Sequence, residues 1–73
     1  MLLSELQNNQ SAVITGFTGS GRFFVRLGEM GFSKGERVVC VCRSVFGSPI
    51  LFSVMGSNIA VRKSDAEKIE VSL

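Results

Sequence analysis

The chain contains no histidine, no tryptophan and no tyrosine, and only one proline and two cysteines. Each shortage closes a door. Without histidine there is no side chain that titrates unaided near neutral pH, and the commonest metal ligand is missing. Cys40 and Cys42 supply half of a tetrahedral zinc site at best. Without tryptophan or tyrosine, neither a row of base-stacking aromatics nor an aromatic groove for proline motifs is easily built. No apolar run approaches the ~18 residues of a membrane helix, and charges interrupt every segment. The start, MLLSELQNN, lacks the basic and apolar regions of a secretory signal. These gaps predict a soluble, intracellular protein.

What is present is modest in length and rich in apolar residues. Seventy-three residues, 45% of them hydrophobic, read as one domain spanning 1–73. A chain of this size buries roughly 60% of its unfolded surface, so nearly every large apolar side chain is needed inside. Eight basic and six acidic residues give a net charge of +2, without the basic stripe of a nucleic-acid binder. No internal repeat or linker is visible.

The segment ITGFTGSGRFFVRL, residues 14 to 27, resembles a phosphate-binding loop between a strand and a helix. Its spelling rejects that reading. A P-loop places Lys and then Ser or Thr after its second glycine, whereas Arg22 and Phe23 follow Gly21 here. A phenyl ring cannot hold magnesium. Gly16, Gly19 and Gly21 are expected to supply turn conformations instead.

Periodicity sets the remaining elements. Ser11 to Phe17 reads as a strand with Ala12 and Ile14 on one face, and Gly16 suggests a bulge that returns Phe17 inward. Phe23, Leu27 and Met30 make a helical stripe. Gly31 is expected to end the helix as a left-handed cap with Phe32 folding back. Strands follow at 36–43, 50–54 and 59–62, with a hairpin turn at Gly56-Ser57-Asn58. On the first of these, Val38, Cys40 and Cys42 face one way, and Val39, Val41 and Arg43 the other. The cysteines are read chiefly as small core hydrophobes, a disulfide between strand neighbours two apart being geometrically unsuited. Ser64 to Glu67 spells a capping box with Ser64 as N-cap, and Ile69 and Val71 fit a last strand. Leu3 and Leu6 suggest a turn that packs the N-terminus on the body. Five short strands at this length predict a mainly β fold, a small, partly open barrel.

The order of these features is similar to that of the ferrous iron transport A proteins, the FeoA-like domain. The resemblance is carried by LSEL at 3–6, SAVITGF at 11–17 and RLGEMGFSKGERVVCV at 26–41. FGSPILFSV at 46–54 and IAVRKSDAEKIEV at 59–71 complete it. It implies an SH3-like five-stranded barrel with a short helix after the first strand and a one-turn helix before the last. It further implies a cytoplasmic accessory of a bacterial ferrous iron uptake system, working by contact with the membrane transporter (FeoB-type) and its GTP-binding domain. Such a protein reaches the membrane only through that partner, needs no cofactor and is not an enzyme. The alternative is an SH3-like regulatory or nucleic-acid-binding module, as in iron-dependent repressors; the absent stacking platform speaks against nucleic acid as a partner.

Two departures from the family pattern bear on contacts. Gly28 sits inside the helix, at a cost of about 1 kcal/mol against alanine; close packing against the core is the favoured reason. On the sheet, Val39, Val41, Leu51 and Met55 are expected to face outward as an apolar patch. That patch is a partner site, or is covered by a terminal segment or the helix, or is the product of a one-residue slip in register. With Arg22 and Arg26 on the outer helix face, these four are the candidate partner-binding residues. Self-association through the same face is left open, as is metal binding.

Overall fold

The computed structural model describes residues 1–19 and 22–73, apart from the side chain of Phe23. Alternating apolar residues build β1 (Ser11–Phe17), β2 (Arg37–Arg43), β3 (Ile50–Val54), β4 (Ser57–Val61) and β5 (Ile69–Ser72). They form one antiparallel sheet in the order β4-β3-β2-β1-β5. α1 (Arg22–Glu29) follows β1, and α2 (Lys63–Ala66) precedes β5. This is the expected mainly β architecture. The two outer strands, β4 and β5, do not pair with each other, so the barrel is open at that seam.

The inward faces meet in one core. Ala12 and Ile14 of β1, Val38 and Cys40 of β2, and Ile50, Phe52 and Val54 of β3 are all buried. Val61, Ile69 and Val71 complete the sheet's share. The ends are closed by Leu3 and Leu6 from a 3-10 turn at Leu3–Glu5, and by Leu27 and Phe32 around the end of α1. Phe32 meets Phe52 edge to face at 6.4 Å, the geometry that ring quadrupoles favour.

Two bulges decide which residues reach the surface. In β1 the register shifts between Ile14 and Gly16, so Thr15 is the extra residue. Phe17 consequently turns inward opposite Ile69 and packs on Phe24 with ring centres 5.6 Å apart. That bulge was expected from Gly16. A second shift, between Cys40 and Cys42 of β2, was not. It sets Val41 and Cys42 together against Leu51, and everything beyond changes face. Cys42 is therefore exposed rather than sharing the buried face of Cys40. Arg43, expected outside, lies half-buried, and its Nη1 donates to the carbonyls of Ser4 at 2.7 Å and Leu6 at 2.9 Å.

α1 ends as its glycine predicts. Gly31 has φ +101°; its N–H donates to Gly28 O, and the N–H of Phe32 donates to Leu27 O at 2.8 Å. This pair of bonds is the Schellman motif. The predicted stripe needs correction: Leu27 is buried and Phe24 half-buried, but Met30 is 39% exposed because it is the last residue before the cap. The expectations for Gly21 and for the side chain of Phe23 fall outside the described residues. The close packing expected at Gly28 is absent, since a Cβ built there meets nothing within 4 Å.

Two further boundaries moved. Val54 pairs with Ser57, so the β3–β4 turn is Met55-Gly56, not Gly56 to Asn58. Both turn residues have positive φ, +48° and +79°, as a two-residue hairpin matching the strand twist requires. α2 begins two residues earlier than its capping box suggests. Arg62 is the N-cap and makes no side-chain cap bond; Ser48 Oγ, from the β2–β3 loop, instead accepts the Lys63 N–H at 3.1 Å.

Candidate docking surface

The sheet's outer face carries three of the four apolar residues singled out from the sequence. Val39, Val41 and Leu51 are each half-buried there. Their neighbours limit the patch. Val39 lies between Ser11 on β1 and Ser53 on β3, so its row is mostly polar. Leu51 sits between Cys42 and Ala60, with Val41 beside Cys42 at the bulge, and this end of the sheet is the more apolar. Met55 does not join them. It occupies the hairpin turn at the far end of β3, 69% exposed, with its side chain over Gly31. A Cβ on Gly31 would lie 3.2 Å from the Met55 Sδ, so that glycine is required for its backbone angle, and a side chain there would also press on the Met55 thioether. Arg22 and Arg26 are exposed on α1, without an ion pair among the described residues.

The most exposed apolar side chains among the described residues were missed. Val45 and Phe46 are 96% and 94% exposed at the tip of the 44–49 loop, which joins β2 to β3. This is the continuation of the strands that carry Val41 and Leu51. The tip is held in shape from three sides. The Gly47 N–H donates to Ser44 O at 2.9 Å, the Ser44 N–H to Pro49 O at 3.3 Å, and Ser48 Oγ accepts from Lys63. Val45 and Phe46 thus fill the two central positions of a β-turn, closed by Gly47 at φ +83°. Turn centres favour Gly, Pro, Asn, Asp and Ser for local reasons, and a β-branched residue followed by a phenyl ring breaks that rule. The readable signal was S-V-F-G itself, a large apolar pair where turn chemistry asks for polar residues. Burying both side chains fully would release about 1.5–3 kcal/mol each.

The loop's base is cationic. Arg62 and Lys63 are exposed at the start of α2, where the Lys63 backbone meets the loop, and neither side chain is ion-paired among the described residues. The thiols offer little chemistry. Burial pushes the Cys40 thiol up, more than the nearby Arg43 charge lowers it, which disfavours the thiolate. No group of three His, Cys, Asp or Glu among the described residues is placed to hold a metal ion. No helix there is long and apolar enough to cross a membrane. What the surface offers is a preorganised apolar projection with a basic base.

Comparison with known proteins finds the FeoA domain model matching residues 1–73. The Fe(2+) transport protein A/Fe(2+) transporter FeoB fusion protein of Porphyromonas gingivalis is 40% identical over all 73 residues, and the chain spans 9% of that protein's length. Iron(II) transport protein A of Clostridium thermocellum is 36% identical with a TM-score of 0.95; the match covers all of this chain and 45% of that one. Stenotrophomonas maltophilia FeoA, solved with zinc and described as a prokaryotic SH3 domain protein, is also 36% identical. Its TM-score is 0.86, covering 99% of this chain and 89% of that chain. The five-stranded arrangement is therefore SH3-like.

Proposed function

Because the chain belongs to the FeoA domain family, we propose that it is a small cytoplasmic accessory of a bacterial ferrous iron uptake system. It acts through contact with the cytoplasmic, GTP-binding part of a FeoB-type membrane transporter. One observation carries this reading: in the Porphyromonas gingivalis protein a region 40% identical to the whole chain is fused to the transporter. Fusion holds two partners at high effective concentration, which is useful where their separate affinity is low. Residues 1–73 act as one domain, with iron as the transporter's cargo. The protein reaches the membrane through its partner, and its contribution is docking and not bond making. Val39, Val41 and Leu51 on the sheet, and Arg22 and Arg26 on α1, remain contact candidates; Met55 is a separate one.

The test is a binding isotherm of the chain on its cognate transporter in lipid nanodiscs, alongside GTP turnover. Saturable binding that is absent on empty nanodiscs, with a matching change in turnover, is the expected result. Absence of binding at near-millimolar chain would reject the reading.

A further inference from the structure

We infer that the 44–49 loop is the docking element, and that Val45 and Phe46 enter an apolar recess with an acidic rim on the transporter's cytoplasmic part. The inference rests on the reading above and names its contact. Four observations converge. Both side chains are almost fully exposed, 96% and 94%, whereas Phe32 and Phe52 are wholly buried and Phe17 and Phe24 pack together. The tip's backbone is fixed by hydrogen bonds and by Ser48, so binding need not order the loop's backbone, which favours affinity. Arg62 and Lys63 flank the base, exposed and without an ion pair among the described residues, and call for carboxylates on the rim of the recess. The same hairpin carries Val41 and Leu51 on its outer face, extending the contact from tip to strand.

The occupant follows from the surroundings. No pocket opens on the described surface to favour a second copy as the recipient of the phenyl ring. A lipid surface would also accept an apolar tip with cations, and binding to empty nanodiscs is the arm of the experiment that separates it from the transporter. The fused relative carries its equivalent domain in one chain with a transporter, which favours that occupant. Among the described residues Phe46 is the one exposed phenyl ring, which is not the row of aromatics that stacks successive bases.

The experiment compares the wild-type chain with the double variant Val45→Ser/Phe46→Ser on the cognate transporter in nanodiscs. Val25→Ser, at a residue 63% exposed on α1, is the control. Both exposed sites tolerate the change, so melting temperatures should match wild type, and this is checked first. The double variant is expected to weaken binding about tenfold or more, and Val25→Ser to leave it unchanged. Arg62→Glu/Lys63→Glu should slow association, and the effect should shrink with added salt. Wild-type binding that the double variant retains in full overturns the loop assignment and leaves the transporter reading standing. Failure of the wild type to bind overturns both. Tip-dependent binding to empty nanodiscs, or tip-dependent self-association without transporter, overturns the assignment in favour of lipid or a second copy.

Discussion

Single residues show how tightly the surface is tied to the backbone beneath it. Gly31 carries a left-handed φ and lies under Met55. Gly31→Ala is expected to cost about 1–3 kcal/mol in urea unfolding. Adding Met55→Ala should recover the part due to the Met55 contact, and a full loss retained in the double variant assigns the cost to φ alone. Arg43 is a second such residue, holding two carbonyls of the N-terminal segment. Arg43→Met removes the donor and keeps the apolar stem, and should cost about 1–3 kcal/mol. Faster amide exchange around the 3-10 turn would locate the loss. The thiols should separate by alkylation of the folded protein, Cys42 reacting and Cys40 protected. Since burial raises the Cys40 thiol in the folded state, its stabilising contribution is complete below the ordinary thiol value of about 8.5. Above that pH the unfolded chain deprotonates first, so stability falls until the folded thiol titrates too. Cys40→Val should flatten that alkaline decline in urea midpoints, and Cys42→Ser should preserve it.

At the scale of elements, α1 gives the plainest prediction. A Cβ at Gly28 meets open space, so Gly28→Ala should stabilise the fold by about 0.5–1 kcal/mol, read from urea unfolding. If the variant is more stable yet binds the transporter less well, the bare helix face is also a contact. The strands were legible because alternation has one buried side: β3, with Ile50, Phe52 and Val54 inside, matches its sequence without correction. The β1 bulge was legible because Gly16 interrupts that alternation. The β2 bulge was not, because VVCVC is apolar at every step and carries no polar mark of the slipped face. This hid both the exposure of Cys42 and the inward turn of Arg43. α2 was misplaced for a related reason. The acceptor that meets its first N–H is Ser48, fifteen residues away, and a local capping pattern cannot report a partner from another loop. The docking tip was missed because apolar residues were assigned to the core by type, and neither Val45 nor Phe46 repeats at a strand or helix period that would assign a direction.

For the whole molecule, the fold is a support that holds one hairpin tip clear of the body. The core takes large apolar side chains from every strand, and among the described residues Val45 and Phe46 are the most exposed of the apolar residues it leaves outside. With a net charge of only +2, long-range steering is weak, and affinity rests on the buried tip with a contribution from Arg62 and Lys63. The most direct measurement is an NMR titration of the reduced, isotope-labelled chain with its cognate transporter in nanodiscs, following loss of amide signal. The account predicts that the first signals lost are those of residues 44–48, Arg62 and Lys63, followed by Val41 and Leu51, while α1 keeps its intensity. Losses confined to Arg22, Arg26 and the rest of α1, or no loss at saturating transporter, would contradict it.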